Sequence, residues 1–366
     1  MATQEALYRE LDLALSWSER ELPERERTKH VHRLHPYLGK FVPQLVEALL
    51  ERYVKPAGRV LDPFAGSGTT LVQALESGYD AVGADVAAFN ALLMRVKTRE
   101  YDLEALERDV RAAHGALGAA DEVPSGYVAE WFAPQAAAEL LHFRSLIAAS
   151  GHPHVLHVVL ARAARSARRT PHFDLDFPRA PQLGEYWCHK HRRTCRPVEE
   201  ANKFLSRYLL DTLARLQAFA EVRAERRAAV VLHGDVRELE LGGPYDGVVT
   251  SPPYPGLIDY HEQHRYAYEL LGLDDRRERE VGAAAAGTSK AAIAAYVEGI
   301  ATVLARVRAS LRRGAPVCIV VNDRRDLYPE ILERAGLRLE DRLERHVNRR
   351  TGRRAGEYFE SILIAR

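Results

Sequence analysis

Three cysteines, a formal net charge of +1 and no apolar run of membrane-spanning length set the first limits on this chain of 366 residues. So few cysteines, in no obvious framework, exclude a disulfide-stapled secreted scaffold and suit a reducing cytoplasm, the expected location. A balance so near zero excludes recognition of a polyanion by global charge, so any such site must come from local clustering. The opening Met1-Ala2-Thr3-Gln4 leads into an amphipathic segment and not an export sequence, so neither a leader nor a membrane association is expected. No internal repeat is visible. What is present, 46% hydrophobic residues, is enough for a full core in one large or two modest domains.

The densest signal is Ser251-Pro252-Pro253-Tyr254, which follows the apolar run 246–250. That run reads as a buried parallel strand. Two prolines cannot extend a sheet, so the chain must leave the strand's carboxyl end rigidly and hold Ser251 and Tyr254 at its mouth. In open α/β sheets ligands bind at that edge. A hydroxyl, two prolyl-flanked carbonyls and an aromatic ring there suit a planar amine, which donates hydrogen bonds and stacks. Far upstream, Val60-Leu61-Asp62-Pro63-Phe64-Ala65-Gly66-Ser67-Gly68-Thr69-Thr70 reads as strand, glycine turn and helix start. Gly66 and Gly68 permit close backbone approach, and Thr69 or Thr70 is expected to cap the helix. The turn lacks the lysine of a phosphate loop and the full dinucleotide fingerprint. Asp85 ends another expected strand, 81–84, where a carboxylate suits a ribose diol. The ligand expected is a nucleoside without a pyrophosphate.

Together these segments resemble the S-adenosylmethionine-dependent amino-methyltransferases of DNA. The likeness rests on the Asp62-to-Thr70 motif, the Ser251-to-Tyr254 motif and a third element, His35-Pro36-Tyr37-Leu38-Gly39-Lys40. It implies a doubly wound, Rossmann-like α/β sheet with a mostly helical insertion. It also implies S-adenosylmethionine as cofactor, held by His35, Lys40, the residues Asp62, Pro63, Phe64, Ala65, Gly66, Ser67, Gly68, Thr69 and Thr70, then Asp85 and Asp235. In that family a serine before Pro-Pro-Tyr goes with methylation of cytosine N4. Ser251, Pro252, Pro253 and Tyr254 would then form the catalytic loop acting on a base flipped out of DNA. Adenine N6 of DNA, an RNA guanine-N2 or adenine amine, and a catalytically silent nucleic-acid-binding relative stand as alternatives. A cognate restriction endonuclease is an association of the family.

Along the chain, 1–30 reads as a short helix (5–17) and a charged link. Residues 31–98 and 229–366 read as the catalytic domain, and 99–228 as a helical insertion with helices at 101–118, 134–149, 154–168 and 197–226. Asp235 looks like the family's adenine-binding acid, yet it follows the insertion. The insertion therefore falls between the second and third strands, which leaves open whether it is a target-recognition region. Residues 337–347 and 358–365 read as a closing antiparallel pair. Two basic clusters are candidate phosphate contacts. One, 162–196, includes Arg162, Arg165, Arg168, Arg169, Arg192 and Arg193; the other, 342–354, includes Arg349 and Arg350. Cys188, His191 and Cys195 fit no familiar zinc ribbon or finger, and a second separated ligand pair is missing. Ordinary cysteines in a basic hairpin, with no metal, are expected.

Overall fold

The computed structural model describes residues 13–18, 20–170, 180–188, 191–347 and 358–366. Its strands are β1 (Arg59–Asp62), β2 (Asp80–Asp85), β3 (Tyr186–Cys188), β4 (Arg193–Cys195), β5 (Ala229–His233), β6 (Gly247–Thr250), β7 (Val317–Val321), β8 (Leu339–Val347) and β9 (Tyr358–Ala365). The chain divides into two compact units. One holds 1–98, 222–260 and 276–366; the other holds 99–221 and 261–275.

The first unit is built on a seven-stranded sheet ordered β5-β2-β1-β6-β7-β9-β8. The pairs from β5 to β7 are parallel, and β9 runs antiparallel between β7 and β8. From β1 the chain steps outward through β2 to β5, then crosses back to place β6 and β7 on the other side of β1. Val60 pairs with Gly247 across that reversal. Such a switch point is where open α/β sheets place ligands. The Rossmann-like sheet and the antiparallel closing pair expected from the sequence are both present.

Both faces of this sheet are covered, which is why β7, Val-Cys-Ile-Val-Val, is buried along its whole length. Alternation sorts its side chains. Val317, Ile319 and Val321 join Leu61 and the helix Lys290–Ala309, through Tyr296, Ile300, Val303 and Leu304, on one face. Cys318 and Val320 join Val60 and the helix Pro43–Tyr53, through Leu45, Val46, Leu49 and Leu50, on the other. The Ser289 hydroxyl accepts from the Ala292 amide and caps the first of these helices. Proline in the first turn starts the second, where a missing amide costs nothing.

The second unit is helical, apart from the β3–β4 hairpin. Its helices are Leu103–Gly115, Gly126–Trp131, Pro134–Leu146, Pro153–Ala167, Asn202–Val222 and Arg265–Leu271. Glu139 is buried and accepts from the amides of Ala201 and Asn202, satisfying the start of the long helix. The structure corrects the expected organisation in several places. Residues 222–228 belong with the sheet. Residues 261–275, just after the Ser251–Tyr254 loop, belong with the helices, where Tyr266, Tyr268 and Leu270 are buried. Helix Gly126–Trp131 was too short for its period to be read. Between the helices expected at 154–168 and 197–226 the chain carries the β3–β4 hairpin, while 171–179 lie outside the described residues. Most of the helix expected at 5–17 also lies outside them; Leu13–Leu15 forms a 3-10 turn.

Candidate functional site

A cleft opens in the first unit along the carboxyl edge of the sheet. Residues following β1, β2, β5 and β6 all line it, so the switch point and the cleft coincide.

The floor is the glycine turn. Gly66 and Gly68 have φ of +50° and +80°. A Cβ on Gly66 would lie 2.9 Å from the Tyr37 hydroxyl, and one on Gly68 2.9 Å from Met94 Cγ, so larger residues are excluded by both conformation and space. Gly68 itself occupies the N-cap of helix Thr69–Glu76, with no side-chain cap. The expected threonine cap is therefore absent. Thr70 is buried, and its hydroxyl donates instead to the Val249 carbonyl of β6 (3.2 Å). Beneath the turn is a group the sequence did not reveal. The buried Lys97 donates to the Ser67 carbonyl at 2.6 Å, with its pKa driven well down by burial and secondarily by Lys40.

Asp85 closes the turn from the side. Its carboxylate accepts from the amides of Gly66 (2.9 Å) and Ala87 (2.8 Å) and from Asn90 Nδ2 (3.1 Å). The group is partly open to the cleft, yet burial lifts its pKa to about 7 against the lowering effect of the Ala87 and Asn90 bonds; Glu280 adds to the rise. Tyr37 and Tyr260 stack beside it, with centroids 5.2 Å apart and planes 12° from parallel. Both rings line the cleft, as do Lys40, Pro63, Phe64, Ala65, Ser67 and Thr69. Lys40 Nζ donates to the His32 carbonyl (2.8 Å). Asp235 lines the cleft with both carboxylate oxygens engaged by Arg237, at 2.6–3.1 Å. Burial works to raise its pKa but is outweighed by those Arg237 bonds, which hold it low.

Ser251 and Pro253 of the proline loop line the same cleft. Tyr296, from the helix Lys290–Ala309, donates its hydroxyl to the Pro253 carbonyl (3.0 Å) and meets the Tyr328 hydroxyl at 3.3 Å. Pro252 is buried, and Tyr254 packs on the same core cluster as Tyr296 and Tyr328. Nothing in the sequence spacing linked Tyr296, Tyr328 or the cleft-lining pair Arg279 and Glu280 to this loop. They reach it only through tertiary packing.

Four expected cofactor residues do not line the cleft; besides Gly68 and Thr70 of the turn, they are Asp62 and His35. Asp62 is 1% exposed and neither caps the helix nor lines the cleft. It accepts from the Phe64 amide (3.1 Å) and the Thr250 hydroxyl (2.6 Å), tying the glycine turn to the residue before Ser251. Burial raises its pKa to about 6, opposed by the bonds from Thr250, Thr70 and Phe64. His35 is buried with its ring edge-on to Phe89 (5.0 Å, 78°) and its Nδ1 2.7 Å from the Pro36 carbonyl oxygen.

The basic clusters need correction too. Arg162 is 6% exposed, pairs with Asp211, donates to Thr212 Oγ1 (2.6 Å) and lies over the Tyr208 ring. Arg168 is 2% exposed over the Tyr266 ring, and burial lowers its pKa to about 10. Neither presents a cation to a phosphate, because each guanidinium is spent inside the helical unit. Arg165 and Arg169 are half-buried, and Arg192 and Arg193 are exposed. In the second cluster, Arg345 is buried against Glu360 (2.9 Å) and Arg342 pairs with Glu344 (2.9 Å). Arg349 and Arg350 lie outside the described residues.

The residues present fit an adenosyl-methionine ligand. The glycine turn leaves no room for a Cβ, an acid stands at the end of β2, and another follows β5 on the same cleft. Comparison with known proteins bears on the same point. A family profile described as a DNA methylase matches residues 7–91. The Type II methyltransferase M.MjaII of Methanocaldococcus jannaschii is 34% identical over 430 aligned positions, covering 93% of this chain and 81% of that one. The Type II methyltransferase M.MvaI of Kocuria varians is 35% identical over 82 residues, covering 22% of this chain and 18% of that protein. Among solved structures, TrmN from Thermus thermophilus matches at a TM-score of 0.33 and 14% identity, covering 90% of this chain and 49% of that one; a likeness that low carries no part of the assignment. Identity sustained across most of both chains places the chain among the Type II DNA methyltransferases of the N4/N6 amino class, enzymes whose methyl donor is S-adenosylmethionine.

Proposed function

We propose that this enzyme methylates the exocyclic N4 amine of cytosine at specific sites in DNA, acting on a base turned out of the helix. The observation that carries this reading is Ser251. A serine, where other members of the class have an acidic residue or its amide, stands on the wall of the cleft that holds the glycine turn and Asp85. S-adenosylmethionine supplies a methyl group already activated by the positive charge on sulfur. The chain's own task is the amine, whose lone pair is conjugated into the base ring. Ser251 Oγ and the Pro252 carbonyl accept the amine's two hydrogens and draw the nitrogen towards tetrahedral geometry. The adjacent Pro253 carbonyl takes the Tyr296 hydroxyl, which supports Pro252 as the acceptor. Tyr254 offers a stacking face, and Asp85, Asp235 and Lys40 hold the cofactor. Rate enhancement comes from alignment and from acceptors that gain strength as charge develops. An amine inside a duplex cannot enter such a site, so the base must leave the stack.

The helical unit is the proposed DNA-recognition region, with Arg192 and Arg193 as its exposed phosphate contacts. A restriction endonuclease of the same specificity, in the same cytoplasm, is the expected functional partner.

Nucleoside mass spectrometry of methylated substrate DNA tests the base assignment. N4-methylcytosine is the expected product, and N6-methyladenine alone overturns it. Ser251→Ala is expected to lower turnover by about 10²-fold, the scale for losing one positioned polar group, with cofactor affinity retained. Full turnover in that variant removes serine from the role given to it.

A further inference from the structure

The β3–β4 hairpin is short, and among the described residues it pairs with no third strand. Its two three-residue strands are mostly exposed, with Trp187 at 56% and Leu183 just before them at 73%. An isolated two-stranded hairpin with so little apolar burial is marginal in water. Small elements of this kind usually need a covalent or metal staple.

The hairpin carries the donors for one. Tyr186 pairs with Cys195 and Cys188 with Arg193. Cys188 and Cys195 are therefore diagonal neighbours on one face. Arg192, at φ +52°, joins His191 to β4. The two sulfurs and a ring nitrogen of His191 all lie within 4.8 Å of one another, and His191 Nδ1 is 3.3 Å from Cys195 Sγ. Metal–sulfur and metal–nitrogen bonds of ~2.3 and ~2.0–2.1 Å at a tetrahedral angle put such donors about 3.6 Å apart. The nitrogen–sulfur edge is thus already near the length a tetrahedral ion requires. Cys188 is buried while its neighbours on the strands are exposed or half-exposed, so the inward-facing sulfur anchors the group.

We propose that Cys188, His191 and Cys195 bind a zinc ion that staples this hairpin. Two thiolates and a neutral imidazole leave the centre uncharged, which suits a strand flanked by Arg192, Arg193 and Arg196. The donor set, soft sulfur with imidazole, selects zinc over the hard cations. The sequence spacing concealed the site because it lacks a second separated pair; the convergence depends on the hairpin register.

The test uses the untagged full chain, kept reduced, equilibrated with micromolar zinc and dialysed. On the order of one zinc per chain is expected by mass spectrometry of the metal. Cys188→Ser and Cys195→Ser should each lose it while keeping S-adenosylmethionine affinity, and Cys318→Ser should retain it. No zinc in the wild-type chain, or retained zinc in both hairpin variants, overturns the proposal. Should either variant fail to fold, the zinc absorption edge of the wild-type protein decides. Two sulfur neighbours at about 2.3 Å support the site, and fewer overturn it.

Discussion

Arg162 in the helical unit and the carboxyls Asp62 and Asp85 at the sheet's edge meet burial in opposite ways. In the helical unit, Arg162 lies inside the bundle against Asp211, Thr212 and the Tyr208 ring. At the sheet's carboxyl edge, Asp62 takes its bonds from the Phe64 amide and the Thr250 hydroxyl, and Asp85 from two amides and Asn90. None of those donors is charged. An ion pair inside a bundle is a completed interaction. A carboxyl on a cleft wall raised by burial to about 7, as Asp85 is, is one whose charged form still gains from a further donor. The first pattern belongs to structure, the second to a place where something binds.

The comparison breaks most visibly if Arg162 proves dispensable. Arg162→Ala leaves Asp211 with only Arg215 and should cost on the order of 3 kcal/mol in urea unfolding, the scale of a broken buried pair. A loss near zero would return Arg162 to the surface role its sequence suggested. Asp85→Ala removes the acceptor at the edge of the cleft and should weaken S-adenosylmethionine binding by about 2 kcal/mol, as for a charged hydrogen bond. Unchanged affinity by calorimetry in a folded variant would take Asp85 out of the site.

Asp62 sharpens the contrast through pH. Its folded pKa, about 6, lies above its ordinary value of 3.8, so the native state keeps a proton that the unfolded chain releases. The stability this contributes is full below about pH 4 and is lost as pH rises through 6. Between pH 5 and 8 the wild-type chain should therefore lose about 1 kcal/mol more than Asp62→Asn, which cannot titrate. Parallel denaturation curves for the two proteins would refute the shift. The smallest effect is expected at the exposed arginines. Replacing Arg192 and Arg193 by Ala should reduce the slope of log affinity for DNA against log salt by ~0.9 for each phosphate that the pair neutralises. An unchanged slope would leave them as a solvated face.

Much of the sheet was legible in the sequence because its signals are local. Short apolar runs marked β1, β2 and β6, and the glycines and prolines after β1 and β6 could only be turns. Both motifs line one cleft, as their places at strand ends required. The arginines were misread because helical spacing puts Arg162 and Arg165 on a common stripe without saying which way the stripe faces. The short helix Gly126–Trp131 has too few residues to show a period, and the threonine cap failed because Gly68 in left-handed conformation already starts the helix.

By itself, then, the sequence determined the order of the elements, the glycine turn, the rigid proline loop and the family. Each depends on neighbours within a few residues, where backbone sterics and hydrogen-bond supply decide the outcome. Only the tertiary structure decided that Tyr296 holds the Pro253 carbonyl, that Lys97 supports the glycine turn from below, and that Asp62 ties that turn to Thr250 across 188 positions of chain. It also decided which arginines are buried and that two cysteines and a histidine converge on one hairpin face. Those contacts join residues whose separation along the chain carries no information about their distance, and burial assigns a charge its partner only after the core has packed.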